Sequence, residues 1–151
     1  MSNDAAVTAA VTAAGDGAAD IAASDATLAD SADAVRAAKR YSGIELAFIG
    51  DCVYELYARQ RVLDQKHFQK KTTDLVRASY QSQACERLLP LLTETEAEIF
   101  RRGKNSNPKT IPKGCTQAEY RRATALEAVF GFLRLTGQDD RAAELFARVC
   151  G

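Results

Sequence analysis

The stretch IELAFIGDCVYELYARQ, residues 44–60, is almost wholly apolar, yet it carries Asp51 and Glu55. Its apolar residues recur with helical periodicity, so we predict a helix over residues 43–60. On this helix Glu55 has Arg59 four residues on, close enough for a salt bridge. Asp51 has no cation three or four positions away, so the local sequence leaves its charge unexplained.

A second apolar helix, predicted over residues 117–136, repeats this feature at Glu127. The four neighbours of Glu127 at helical spacing are all uncharged. Burying a carboxylate without a partner costs several kcal/mol or more, so Asp51 and Glu127 each need a cation. Two kinds of cation remain open at this point, a metal ion or an arginine of another helix. The candidate arginines are Arg121, Arg122 and Arg134.

Both helices contain an internal glycine, Gly50 directly before Asp51 and Gly131 four residues after Glu127. A glycine inside a helix costs about 1 kcal/mol relative to alanine, and close approach of another backbone is a reason to keep one. If the two helices cross at these glycines, Asp51 and Glu127 converge. Two converging carboxylates form a hard oxygen site that suits Mg²⁺.

The remainder of the chain also predicts helices, so we expect an all-α fold. No run alternates with the period of a strand for long enough to indicate a sheet. Thr93 and Glu96 predict a capping box, and Gly103 predicts the end of the helix that they start. The other predicted elements are helices over 66–79, over 81–92 with Pro90 as its limit, and over 138–150, and a loop over 103–116.

Composition divides the chain at residue 38. Residues 1–38 are an acidic, alanine-rich, low-complexity extension with six Asp and one Arg, which we expect to be disordered or weakly helical. Residues 39–151 hold 19 Lys and Arg against 14 Asp and Glu, which favours a polyanionic partner or a solvated surface of mixed charge. No apolar run approaches the roughly 20 residues of a membrane span, and no signal or transit peptide is indicated.

The four cysteines lie about thirty residues apart without a CxxC pair, which argues against a structural zinc site. Cys52, Cys85 and Cys150 fall in helical patterns, where a free cysteine behaves as a small buried apolar residue. We therefore expect free thiols in a reducing cytoplasm.

Three segments resemble one known family. FIGDCVYELY (residues 48–57) and YRRATALEAVFGFL (120–133) look like the two signature segments of the ribonuclease III endonuclease domain. RRGKNSNPKTIPK (101–113) resembles a loop of the short form, Mini-ribonuclease III, which has no appended double-stranded-RNA-binding domain. The resemblance extends over about residues 42–150.

The resemblance implies an all-helical homodimer that hydrolyses both strands of double-stranded RNA with Mg²⁺. Asp51 and Glu127 match the two catalytic, metal-binding carboxylates of the family. Larger members carry further acids where this chain has Ile44, Ala47 and Thr124. The usual work of the short form is maturation of large-subunit ribosomal RNA precursors, and a ribosomal protein is a candidate partner.

Six basic residues and one asparagine around the predicted loop are the candidates for RNA contact, since flexible cationic segments follow phosphates. They are Arg101, Arg102, Lys104, Asn105, Lys109, Lys113 and Arg121. Two other functions remain as alternatives. One is a catalytically silent ribonuclease III-like protein that binds RNA or the ribosome, and the other is a helical protein-interaction module.

Overall fold

The computed structural model describes residues 31–151, which form helices and connections without a strand. Residues 1–30, most of the predicted extension, lie outside the described residues. We number the helices α1 to α7 in chain order. They are α1 (31–38), α2 (Gly43–Val62), α3 (Phe68–Leu75), α4 (Ala78–Leu88), α5 (Glu94–Lys104), α6 (Gln117–Leu135) and α7 (Asp139–Val149), with a 3₁₀ turn at Leu89–Leu91. The predicted all-α class is confirmed.

Two details of the predicted elements are wrong. The segment 66–79 is divided between α3 and α4, because the backbone at Arg77 is extended and begins a new helix. Gly103 does not end α5, which continues to Lys104. The glycine instead permits close packing, since a Cβ at this position would lie 2.7 Å from the Cα of Ala125 in α6.

The helix starts follow from side-chain caps. Thr93 and Glu96 form the predicted capping box, in which each residue bonds the backbone N–H of the other. Ser42 opens α2 and Thr116 opens α6 in the same way. Each box satisfies N–H groups that a helix start otherwise leaves unpaired.

Helix α6 is the centre of the domain, and α2, α4 and α5 pack around it. Its middle is buried on all sides, which explains why its sequence shows no polar face. Tyr54 of α2, Phe130 of α6 and Phe146 of α7 meet edge to face, with ring centroids 5.1 to 6.4 Å apart. These three helices are thereby locked around one aromatic cluster.

Packing begins upstream of the predicted domain boundary at residue 39. In α1, Ala38 is buried in the core and Val35 packs against it. Lys39 then pairs with Glu98 of α5 at 3.0 Å. The last residues assigned to the extension therefore belong to the packed domain.

All four cysteines are free. Cys85 and Cys150 are buried as expected, whereas Cys52 is exposed on α2. Within residues 31–151, no helix combines the length and the apolar character that crossing a bilayer demands.

Candidate active site

Asp51 of α2 and Glu127 of α6 line one cleft of about 210 Å³. Both are brought there by the glycine crossing, because Gly50 lies directly against the backbone of Glu127. The sequence prediction that the two carboxylates meet at crossing helices is therefore confirmed.

Asp51 is exposed at the mouth of the cleft, and the expectation that it is buried was wrong. It lies toward the outer side of α2, whereas Tyr54 and Ala58 of the same helix point into the core. Partial desolvation raises the pKa of its carboxyl, and the negative charge of Glu55 raises it further. Glu55 makes the predicted salt bridge with Arg59 at 2.6 Å.

Glu127 is the more enclosed carboxylate. Desolvation, followed by repulsion from Asp51, raises the pKa of Glu127 to about 8. Gln81 of α4 opposes this shift by donating a hydrogen bond from Nε2 to Oε1 of Glu127 at 3.1 Å. The described residues thus provide Glu127 with one hydrogen bond but with no cation to stabilise its ionised form.

No arginine or lysine in residues 31–151 supplies that cation. Arg122 lies 3.8 Å from Glu86 and Arg134 lies 2.6 Å from Asp139, so both have other partners. Arg121 donates to Asn107, and no salt bridge reaches Asp51 or Glu127 in the described part of the chain. The arginine alternative raised by the sequence is thus contradicted.

Three further positions, at which larger members of the family that the sequence resembles carry acids, also line this cleft. Ile44, Ala47 and Thr124 all line it, and the hydroxyl of Thr124 is bonded to the carbonyl of Tyr120. No cluster of three or more potential metal ligands occurs in residues 31–151. The acidic donors that line the cleft are therefore Asp51 and Glu127.

That donor set fits a hard divalent ion better than any other cation. Mg²⁺ commonly takes one or two carboxylates and keeps several waters, which an open cleft accommodates. The raised pKa values of both acids show that the protein itself leaves their charge unbalanced. Zinc, in contrast, prefers His and Cys ligands, and neither residue type lines the cleft.

Arg121 is the only predicted RNA-binding residue that lines the cleft itself. Its Nε is buried without an acceptor among the described residues, while its NH2 group donates to Oδ1 of Asn107 at 3.3 Å. Arg121 also shares a shallow hollow with Lys104 and Arg122. The structure thus joins the end of α5 to the start of α6 as one basic surface.

The other predicted RNA-binding residues do not line the cleft. Lys113 lines a neighbouring hollow whose lining also includes Glu127. Arg101, Asn105 and Lys109 are exposed and line neither hollow nor cleft. Arg102 donates to the backbone carbonyl of Tyr41, which ties α5 to the turn before α2.

Gln81 is a site residue that sequence reasoning missed. A signal was present, because Gln81 stands on the same helical stripe as Ala84, Cys85 and Leu88, which are all buried. A polar residue on an apolar stripe requires a partner, and that partner is Glu127.

An apolar stripe is exposed along α2 beside the cleft. Ile44, Phe48, Cys52 and Leu56 recur every four residues and are all exposed, with Phe48 at 75%. Ile44 and Phe48 line both the cleft and an adjoining apolar groove of about 390 Å³, whose other wall includes Leu135. The described monomer leaves this surface without a cover.

Comparison with known proteins gives one consistent result. A model of the ribonuclease III domain matches residues 44–138. A mini-ribonuclease 3 from a Thermoanaerobacter species is 42% identical over 66% of this chain and 74% of its own length. A mini-ribonuclease 3 from Symbiobacterium thermophilum is 36% identical over 68% of this chain and 82% of its own length.

The likeness extends to three dimensions. A Fusobacterium nucleatum protein of known crystal structure superposes with a TM-score of 0.67 at 36% identity, over 73% of this chain and 92% of that one. The matched region contains the crossing of α2 and α6, Asp51 and Glu127. The family match and the geometry agree, and this chain belongs to the ribonuclease III family of endoribonucleases.

Proposed function

We propose that the protein is a Mg²⁺-dependent endoribonuclease that cleaves double-stranded RNA, with Asp51 and Glu127 as its catalytic, metal-holding residues. The observation that carries the proposal is the cleft in which these two carboxylates meet, with no salt bridge to either of them from residues 31–151. A divalent ion bound there would activate water and stabilise charge on the leaving oxygen of a phosphodiester.

Residues of the chain contribute charge and orientation around this centre. Glu127, once ionised, supplies negative charge from within the protein, and Asp51 supplies it at the mouth of the cleft. Arg121 lies on the cleft wall, and its planar guanidinium is suited to a phosphate oxygen. Lys104, close to Arg121, extends the same positive surface toward the neighbouring phosphates.

The proposed active form is a symmetric homodimer. One Asp51/Glu127 pair can attack one strand, so cutting both strands of a duplex in one encounter requires two pairs. The exposed stripe with Ile44, Phe48 and Leu56 is an apolar surface that a second copy would bury. Because Ile44 and Phe48 also line the cleft, the partner would close one side of it.

The natural substrate proposed is a double-stranded stem of a large-subunit ribosomal RNA precursor. Support for this substrate is the resemblance to the short members of the family, and a cytoplasmic location with a ribosomal protein as partner belongs to the same proposal. A-form RNA is recognised by shape, phosphates and 2′-hydroxyls, which suits the scattered basic residues of this surface.

The decisive experiment is cleavage of a long RNA duplex by purified protein, with Mg²⁺ and with EDTA. We expect Mg²⁺-dependent double-strand cleavage by the wild type and none by Asp51→Asn or Glu127→Gln, since the amides remove charge and keep volume. Both variants should still fold and retain duplex binding in EDTA. Cleavage by either variant at the wild-type rate under saturating Mg²⁺ overturns the assignment, and binding without cleavage by the wild type favours the catalytically silent alternative.

A further inference from the structure

Gln81 of α4 reaches across the domain to hold one oxygen of Glu127. The side chain of Gln81 is 1% exposed, and its Nε2 lies 3.1 Å from Oε1 of Glu127. The two residues are 46 positions apart and belong to different helices. Their contact is therefore a product of the tertiary fold.

This hydrogen bond divides the two oxygens of Glu127 between two tasks. An ionised carboxylate only accepts hydrogen bonds, so the amide must present its N–H₂ group to it. Oε1 is occupied by Gln81, whereas Oε2 has no hydrogen-bond partner in the described residues and is not sealed from solvent. Oε2 is thus the oxygen that can serve a ligand in the cleft.

The packing around Gln81 restricts the geometry of its hydrogen bond to Glu127. Gln81 lies on a helix whose buried apolar residues, Ala84, Cys85 and Leu88, are part of the hydrophobic core. A side chain anchored in this way has few alternative rotamers, so its hydrogen bond limits the freedom of the Glu127 side chain. Removal of a group that orients a metal-binding side chain typically lowers metal affinity or activity by about 10-fold to 100-fold.

We propose that Gln81 is a positioning residue for metal binding: by holding Oε1 of Glu127, it presents Oε2 to the cleft that Asp51 shares. This inference rests on the proposed function, in which Glu127 holds the metal. It adds a residue outside the two signature segments, and it assigns no contact between Gln81 and the metal or the RNA.

The test measures metal binding without RNA. Mn²⁺ serves as the probe, because its free fraction is read directly by electron paramagnetic resonance. The variants are Gln81→Met, which removes the donor at similar volume, and Gln81→Asn, which keeps the amide but is one methylene too short. Gln83→Met is the matched control, since Gln83 is exposed on the same helix. Circular dichroism establishes that each variant is folded.

We expect Gln81→Met and Gln81→Asn to raise the Mn²⁺ dissociation constant about tenfold and Gln83→Met to leave it unchanged. In duplex cleavage, the half-saturating Mg²⁺ concentration should rise by a similar factor, with the rate at saturating Mg²⁺ within about threefold of the wild type. Unchanged Mn²⁺ affinity in a folded Gln81 variant overturns the positioning role and leaves the proposed function intact. Absence of Mn²⁺ binding by the wild type overturns both.

Discussion

Gly50 and Gly131 face each other where α2 crosses α6, and neither position has room for a side chain. A Cβ on Gly131 would lie 3.0 Å from the backbone nitrogen of Gly50, and a Cβ on Gly50 would lie 2.7 Å from that of Gly131. A Cβ on Gly50 would also overlap the carbonyl oxygen of Glu127. The crossing that forms the core is therefore the same contact that brings Asp51 and Glu127 together.

The first prediction concerns this crossing. Gly50→Ala forces two helix backbones apart. We therefore expect the free energy of unfolding to fall by about 3 kcal/mol and the Tm to fall by about 10 °C. Gly114→Ala is the control, since Gly114 has φ +95° but open space around it and should cost about 1 kcal/mol. Thermal unfolding followed by circular dichroism gives both values. Equal losses in the two variants would contradict the crossing.

The helical class and the meeting of the two carboxylates could be predicted because both depend on local patterns. Periodicity marks α2 and α6, and an interior glycine in each helix has a cost that only close packing explains. The exposure of Asp51 could not be predicted, because its helix is apolar on more than one face and a residue beside Gly50 can point into the crossing or away from it. In the structure Gly50 and the backbone of Leu46 pack against α6, and Asp51 is left on the outer side.

Other features depend on contacts between distant residues, which patterns within one segment do not reveal. The partnership of Gln81 with Glu127 spans 46 positions, and the tie from Arg102 to Tyr41 spans 61. Gly103 shows the same limit, because a glycine near a helix end satisfies the rule for a stop and the rule for close packing equally well. Here packing against Ala125 determines its role.

The second prediction concerns pH. The pKa of Glu127 is about 8 in the folded protein and near 4.5 when unfolded, so between these values the folded state holds the extra proton. The free energy of unfolding without metal should therefore fall as pH rises from about 5 to about 8, by an amount on the order of a few kcal/mol. The raised pKa of Asp51 acts in the same direction.

Urea unfolding in EDTA across this pH range measures the effect. Glu127→Gln should remove most of the pH dependence of the free energy of unfolding, because it removes the titrating group. Burial raises the pKa of Glu96, but its hydrogen bonds with Arg141 and Thr93 outweigh burial and lower the pKa. Over most of this pH range Glu96 is therefore ionised in both states and adds little pH dependence. Saturating Mg²⁺ should restore stability most strongly at high pH. A wild-type stability that is flat between pH 5 and 8 is the contrary outcome.

The third prediction concerns the dimer. Phe48→Asp places a charge in the centre of the exposed stripe, so we expect the homodimer to become monomeric at micromolar concentration. Leu89→Asp is the matched control, because Leu89 is an exposed apolar residue outside the stripe. Light scattering after size-exclusion chromatography distinguishes the two states. A monomeric wild type, or a dimeric Phe48→Asp variant, would remove the stripe from the interface.

The fourth prediction concerns the start of the packed domain. A chain that begins at residue 39 loses Val35 and Ala38 from the core, so its Tm should fall by several degrees. A chain that begins at residue 31 keeps both residues and should have the same Tm as the full-length protein. Differential scanning calorimetry of the three chains makes the comparison. If the chain from residue 39 melts with the others, α1 contributes nothing to the stability of the domain.

The last prediction concerns the basic surface. Replacing Arg101, Lys104 and Lys109 by Ala removes three exposed charges, and we omit Arg102 because its bond to Tyr41 gives it a structural role. The salt dependence of RNA binding is measured as the slope of log Kd against the logarithm of the salt concentration. Each lost phosphate contact lowers this slope by about one, so the triple variant should lower it by up to about three.

The control for this surface is a second triple variant with the same change in net charge. Lys70 and Lys71 in α3 and Lys66 just before it are exposed, and they line neither the cleft nor the basic hollow. Their replacement should alter the slope little, because general attraction to RNA is screened within a Debye length of about 10 Å. The rate of cleavage at saturating RNA should be nearly the same in both variants, since neither set touches the carboxylates. Equal slopes for the two variants would show that net charge, and not this surface, governs binding to the duplex.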